Sequence, residues 1–297
     1  MSCRLKPITR EEHLAFVRAR PSVSHLQVPA WGAVKPDWQA ESGLVRRERP
    51  PRRSRPGAAP PRAETATLLR LPARGPGHRL VRTGPRTVAG ADARPPEVTA
   101  GVLGQDGAAG EEIRGDLNQQ WRRNIKKAEK AGVKVVQGDA EDLPAFHELY
   151  VETAERDRFV PRPLAYFQRM WTALRAEDPD RMRLYLAHHD GELLAAATML
   201  TVGTHAWYSY GASTSRKREV QPNNALQWRM MTDAYQLGAQ LYDFRGITDT
   251  LDEANHLLGL LRFKVGTGGR AVEYLGEWDY PLHKVLHKAV GRYLASR

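Results

Sequence analysis

Between Trp38 and Trp121 the chain contains no Phe, Tyr, Trp or Lys, and Ile and Asn are absent until Ile113 and Asn118. Arg, Pro, Gly and Ala dominate instead, as in RRERPPRRSRPGAAPPRAE. So little apolar area cannot offset the entropy of ordering a chain, and residues 41–110 are expected to be disordered or poorly packed. Two explanations stay open. One is a basic, Pro-rich linker that binds nucleic acid. The other is a GC-rich gene read out of frame, because the missing residues are those of AT-rich codons. Ordinary globular sequence borders the stretch on both sides, so a packed fold has to be built by the flanks.

The 297 residues suffice for two modest domains, and a formal net charge of +11 calls for an anionic partner: nucleic acid, a phosphate-bearing substrate or an anionic membrane surface. Cys3 is the only cysteine, which excludes a disulfide framework and a cysteine metal cluster. No His, Asp and Glu spacing suggests a metal, and no Walker loop or G-x-S-x-G elbow is present. The most apolar stretch, Leu193 to Val202, is too short to cross a bilayer, and the first residues lack a signal-peptide core. A cytoplasmic protein with at most peripheral contact at the inner face of the plasma membrane is expected.

Thr9 with Glu12 three residues on has the spacing of a capping box and starts a helix from Glu11 to Arg18. A polar loop leads to Trp31 and then to Lys35. After Gly115 the pattern turns regular. A helix from Gln119 to Ala131, closed by Gly132, puts Trp121, Ile125 and Ala128 on one face and Arg122, Arg123, Lys126, Lys127 and Lys130 on the other. A strand (Val133 to Val136) and two helices (Leu143 to Asp157, Leu164 to Arg175) follow. Met182 to His188, Leu193 to Thr201 and Thr204 to Ala212 alternate as three strands, the first two joined by the hairpin dipeptide Asp190-Gly191. Next come a helix from Asn223 to Leu237, a strand at Tyr242 to Gly246, a helix at Leu257 to Leu261, a strand at Ala271 to Trp278 and a last helix at Leu282 to Leu294. An antiparallel meander followed by a helix and further strands is the α+β order of acetyltransferase-like (GNAT-type) domains.

Enzymes of that type hold the coenzyme A pyrophosphate on a [Q/R]-x-x-G-x-[G/A] turn before the central helix. Here the corresponding SRKREVQPNN has no glycine, so no cofactor is expected. The candidate chemistry lies in cations and phenols. Lys264, between an apolar helix and the glycines of VGTGG, is placed for an oxyanion or a phosphate, with the glycines as room for a donor to approach. Arg162 and Tyr166, one helical turn apart, can grip one phosphate together. Tyr208 and Tyr210 share a strand face by period two. Each has a plainer alternative: Lys264 as a helix cap, Lys35 and Arg162 as surface residues, and the tyrosines as sheet packing.

The motifs LNQQWRRNIKKAEKAGV, RPLAYF, WYSYGAS, QPNNALQW, YDFRGI and GLLRFKVGTGG, in this order, resemble the FemABX family over about Leu117 to Leu282. Members add an amino acid from aminoacyl-tRNA to the stem peptide of a peptidoglycan precursor, building the interpeptide bridge of the cell wall. The resemblance implies two acetyltransferase-like domains: residues 1–115, disrupted over 41–110; residues 116–276, intact; and a C-terminal helix in 277–297 packing back on the first. It implies that Phe263 and Lys264 lie at the tRNA ester, with Lys264 stabilising the oxyanion. Arg162, Tyr166 and one of Tyr208 or Tyr210 would hold the pyrophosphate of a lipid-linked or nucleotide-linked precursor, joined by Lys35. The basic face from Arg122 to Lys130 would attract the tRNA. Glycine, alanine or serine is the expected cargo. Two other readings stay open: an acyl-CoA N-acyltransferase of related fold, and a nucleic-acid-binding protein with an Arg/Pro arm.

Overall fold

After a first strand, β1 (Ser2–Pro7), Thr9 closes the capping box its spacing predicts. Its hydroxyl accepts the Glu12 amide at 3.2 Å while the Glu12 carboxylate accepts the Thr9 amide at 2.9 Å, which satisfies two orphan donors at the start of α1 (Arg10–Arg18). The computed structural model describes residues 2–21, 23–35, 39–48, 64–70, 79–81, 97–100, 109–248, 250–255 and 257–272, with Lys288 and Arg292. The chain divides into two units: Met1–Arg20 with Leu26–Ala93 and Leu275–Arg297, and Pro21–His25 with Arg94–Tyr274.

In the first unit α2 (Trp31–Val34) leads to β2 (Gln39–Glu48), β3 (Glu64–Arg70) and β4 (Arg79–Val81). These form an antiparallel sheet in the order β1-β2-β3-β4. Three of its strands thus fall in or at the edge of the stretch that composition predicts to be poorly packed. The physical reason is that a ladder is a backbone device: β2 bonds β1 on one side and β3 on the other, and neither register requires an aromatic residue. Apart from β5 and the start of α3, described next, the rest of 41–110 lies outside the described residues.

The second unit contains β5 (Glu97–Ala100), α3 (Ala109–Asp116), α4 (Gln119–Ala131), β6 (Lys134–Gly138), α5 (Leu143–Asp157), α6 (Leu164–Glu177), β7 (Met182–His189), β8 (Glu192–Val202), β9 (His205–Ser213), α7 (Pro222–Gln236), β10 (Leu241–Gly246), α8 (Leu258–Val265) and β11 (Arg270–Val272). The meander forms as predicted. Asp190 and Gly191 both take positive φ, 50° and 77°, as a tight hairpin turn of this hand requires. The sheet order is β11-β5-β10-β9-β8-β7-β6, antiparallel except for β9 with β10. Since β5 lies between β10 and β11, the second unit starts near Arg94, earlier than the boundary at 115 expected from sequence.

Helices cover both faces of this sheet. Trp121 and Ile125 of α4, Leu226 and Met230 of α7, and Tyr242 and Phe244 of β10 form one core. On the other face α5 and α6 bring Phe146, Phe167, Met170 and Leu174, all fully buried. Covering on both sides explains why β8 is buried without interruption from Leu194 to Leu200, and hence why it is the most apolar run of the sequence. A polar staple ties α7 to β7: the Tyr185 hydroxyl donates to Asp233 at 3.0 Å, and Arg229 donates to the other Asp233 oxygen at 2.8 Å. Of the expected strand from Ala271 to Trp278, only Ala271 and Val272 are described. The expected helix from Leu282 to Leu294, and its packing on the first unit, lies outside the described residues apart from Lys288 and Arg292.

The staple predicts a graded loss of stability. Tyr185→Phe should cost about 1 kcal/mol, and Asp233→Ala roughly 2 kcal/mol because it strands the buried Tyr185 hydroxyl and also removes one partner of the exposed Arg229, which keeps the Val135 carbonyl. Urea unfolding followed by circular dichroism measures both; equal losses would show that Asp233 serves only one of its partners.

Candidate active site

The helix α8 runs a full turn further than the apolar pattern indicates, so Arg262, Phe263 and Lys264 belong to its last turn. Lys264 is 4% exposed, and its Nζ donates to the Gly246 carbonyl at the end of β10 at 2.6 Å. A buried ammonium is costly without compensation, so its position is strongly specified. The helix is seated on α4: the Trp121 indole donates to the Phe263 carbonyl at 2.8 Å, the two rings lie 4.7 Å apart, and the Asn118 amide donates to the Gly266 carbonyl at 2.9 Å. The glycines serve this seam. A Cβ on Gly266 would stand 2.5 Å from the Trp121 ring, and one on Gly268, at φ 81°, would stand 2.6 Å from the Asp116 carbonyl oxygen. At those two positions the glycines give room to α4 and to the end of α3, where the sequence suggests room for a donor.

Period two puts Tyr208 and Tyr210 on one face; the structure puts them on opposite faces. Tyr208 pairs with Met199 and Tyr210 with Thr198, so Ser209 is an extra residue in β9, and this bulge reverses the alternation beyond it. Tyr208 packs against the α4 and α7 core near Phe244, its hydroxyl folded back over Gly211. Tyr210 turns to the face of α5 and α6, where Tyr150 and Phe167 meet it edge-on. The Tyr166 and Tyr210 hydroxyls are 3.1 Å apart, and the Arg162 guanidinium stands 5.6 Å from the Tyr166 ring centre. The structure therefore brings together Arg162, Tyr166 and Tyr210, and leaves Tyr208 elsewhere.

A further cation, which the sequence analysis did not single out, lies beside this group. Arg245 follows the last residue of β10 that pairs with β9 by two positions, and it holds a left-handed backbone, φ 65°. Its amide donates to the Asp243 carboxylate at 2.6 Å. Nothing in YDFRG announces a left-handed arginine, because such a conformation is usually signalled by Gly or Asn.

On α4, Arg123, Lys126, Lys127 and Lys130 are exposed, as expected. Arg122 is half-buried, and its guanidinium donates to the carbonyls of Gly115 at 3.4 Å and Leu117, closing the end of α3. Lys35 lies in the first unit, half-buried and directly after α2.

The fold type raises the question of coenzyme A, and the turn before α7 answers it. The Glu152 carboxylate already accepts the Thr214 hydroxyl at 2.8 Å and the Ser215 amide at 3.3 Å. The amides of Arg216, Val220 and Gln221 are bonded within the turn, and Pro222 at the start of the helix has no N–H. A pyrophosphate needs a cradle of open amides; here those of Ser215, Arg216, Val220 and Gln221 are spent and a carboxylate sits among them. The residues present do not fit coenzyme A.

With this geometry in view, the comparisons are specific. The sequence profile of the acetyltransferase (GNAT) domain matches residues 116–264. Lipid II:glycine glycyltransferase of Staphylococcus haemolyticus is 27% identical over 242 residues, covering 61% of this chain and 58% of the relative; that of Staphylococcus aureus strain USA300 is 27% identical over 241 residues, covering 59% and 57%. The chain thus spans little more than half the length of these relatives. A crystal structure of FemX superposes with a TM-score of 0.77 at 20% identity, covering 97% of this chain and 99% of that one, and a conserved protein from Bacteroides thetaiotaomicron with a TM-score of 0.54 at 8% identity. The chain belongs to the acetyltransferase (GNAT) domain family, and its similarity to these glycyltransferases and to FemX agrees with the FemABX resemblance of its motifs.

The phenols give an alkaline signature. Burial raises Tyr210 well above the ordinary tyrosine range, with Tyr166 adding to the rise, and pushes Tyr208 up to about 12, with Asp157 adding to it. A group whose folded pKa is raised contributes stability that is whole below its unfolded value, about 10, and is lost as pH climbs through the folded one. Absorbance at 295 nm should show these phenols still protonated near pH 11, and thermal stability should fall above about pH 10. Normal titration of all ten tyrosines without unfolding would contradict this placement.

Proposed function

We propose that this chain is an aminoacyltransferase that moves a small amino acid from aminoacyl-tRNA to the stem-peptide amine of a peptidoglycan precursor. The observation that carries the reading is the buried Lys264 ammonium, held at the open end of β10 by the Gly246 carbonyl. The names of the relatives support a lipid-linked acceptor and glycine as cargo; alanine and serine are the alternatives.

Transfer from an activated ester needs no covalent enzyme intermediate. The neutral side-chain amine of the acceptor attacks the ester carbonyl, the C–N bond forms, and negative charge gathers on the carbonyl oxygen. Lys264 supplies the positive charge that stabilises that oxyanion, preorganised because its Nζ is fixed before reaction. Collapse breaks the C–O bond to the ribose, and the amine proton leaves with the ribose oxygen. Arg162, Tyr166 and Tyr210 hold a phosphate of the precursor. The exposed cations of α4, Arg123, Lys126, Lys127 and Lys130, attract tRNA, and the protein works beside the inner membrane surface where the lipid-linked precursor lies. Tyr208, on the other face, and Arg122, spent on α3, contribute less than the sequence pattern alone indicates.

Transfer of radiolabelled glycine from glycyl-tRNA to lipid-linked or nucleotide-linked precursor tests the reading. Lys264→Met should lower turnover by roughly 100-fold to 1,000-fold with little change in the KM for precursor. Arg162→Ala should raise that KM about tenfold while turnover changes less. Full turnover in Lys264→Met would remove Lys264 from the chemistry, and coenzyme A binding in calorimetry would replace tRNA as the donor.

A further inference from the structure

Four observations converge on Arg245. First, β9 and β10 are paired in parallel only from Leu241 with His205 to Asp243 with Trp207; beyond that they no longer pair with each other, β10 keeping β5 at Gly246 and β9 keeping β8, and Arg245 stands where they part. Second, its side chain lies on the Tyr210 face of the sheet. Its Nη1 is 3.5 Å from His25 Nε2, the His25 ring packs edge-on against Trp207 at 5.0 Å, and Trp207 lies on the sheet face opposite Tyr208. Third, the backbone is fixed there against its own preference. A left-handed backbone is disfavoured for a non-glycine residue, and here the Asp243 carboxylate holds it by accepting the Arg245 amide. Fourth, the positive charge is not neutralised: the second Asp243 oxygen faces His205 at 3.6 Å, and among the described residues no carboxylate lies within ion-pair distance of Arg245 or of Arg162. Arg162 and Arg245 each favour the ionised form of the Tyr210 phenol, against the larger effect of burial.

We infer that Arg245 is a second anion-binding guanidinium which, with Arg162 across the Tyr166 and Tyr210 hydroxyls, forms a two-cation clamp for a diphosphate. This rests on the reading of Arg162 and Tyr166 as phosphate holders. Two guanidiniums and two phenol donors match the charge of a diphosphate better than that of a single phosphate, since each planar fork serves one phosphoryl group. Asp243 is then a positioning residue: it sets the backbone from which Arg245 reaches. The Lys264 ammonium bonds the carbonyl of Gly246, the very next residue, so the clamp and the candidate oxyanion site share one short piece of backbone.

Calorimetry on the full chain decides the matter, with inorganic pyrophosphate and with nucleotide-linked precursor as probes. The informative variant is Arg245→Gly, because glycine accepts a φ of 65° without strain, so its melting temperature should stay level or rise. Its affinity for both probes should fall tenfold or more, Arg245→Lys should recover part of the loss, and Arg162→Ala combined with Arg245→Gly should lose less than the product of the single effects. If Arg245→Gly binds both probes as tightly as the wild type while Arg162→Ala does not, the clamp is wrong and the phosphate reading of Arg162 stands. If neither single variant changes binding, both readings fall together.

Discussion

One extra residue, Ser209, decides what the two faces of the central sheet can do. Without it, β9 would carry Tyr208 and Tyr210 on the same side, and two phenols would compete for one patch of core. With it, Tyr208 completes the core under α4 and α7, while Tyr210 is delivered to Tyr166 and the neighbourhood of Arg162. The bulge also ends the regular twist of β9 close to the point where β10 parts from it. A polar group thereby stands on a sheet whose interior is sealed on both sides by apolar helices.

The second organising contact is the seat of α8 on α4. An indole N–H, a backbone amide and two glycines hold a helix of only eight residues, which would be marginal alone. What this seat determines is the direction of one lysine. A flexible four-carbon side chain on the surface would lose much rotamer freedom on meeting a substrate; Lys264 has already lost it in folding, through burial and its bond to Gly246. The same economy appears at Arg245, whose backbone strain is maintained by a buried carboxylate. Rigid presentation of charge is the common theme of the two places.

Much of this was legible in the sequence wherever local chemistry decides structure. The box of Thr9 and Glu12, the turn at Asp190-Gly191, and the cap at Gly132 each act over a few residues and formed where expected. α5 runs over the residues its apolar stripe marked. The failures share a different cause. β2 to β5 depend on partners far along the chain, and their composition gave no sign of the ladder that orders them. The bulge at Ser209 is set by register with β8, the length of α8 by its seat on Trp121, and the left-handed turn at Arg245 by Asp243; in each case the deciding neighbour is tertiary or is a side chain with no motif of its own. For the site, residue types are legible and faces are not: period two puts Tyr208 and Tyr210 on one face where the bulge separates them, and nothing in YDFRG marks the left-handed turn at Arg245.

The insertion of β5 between β10 and β11 has a bearing on how this unit comes to exist at all. Tyr242 meets Ala100 and Arg270 meets Thr99, so the last strands of the sheet wait for a partner made long before them, while Thr204 bonds Pro21 across a still longer span of chain. Closing such loops is entropically expensive, and sheets built from distant strands fold slowly. A fragment cut to the boundaries of the acetyltransferase profile, 116–264, would keep the meander and α7 but lose the strand that covers β10. Its bare edge would be a template for pairing with other chains, so the region most recognisable by sequence is not the smallest piece that can stand in solution by itself.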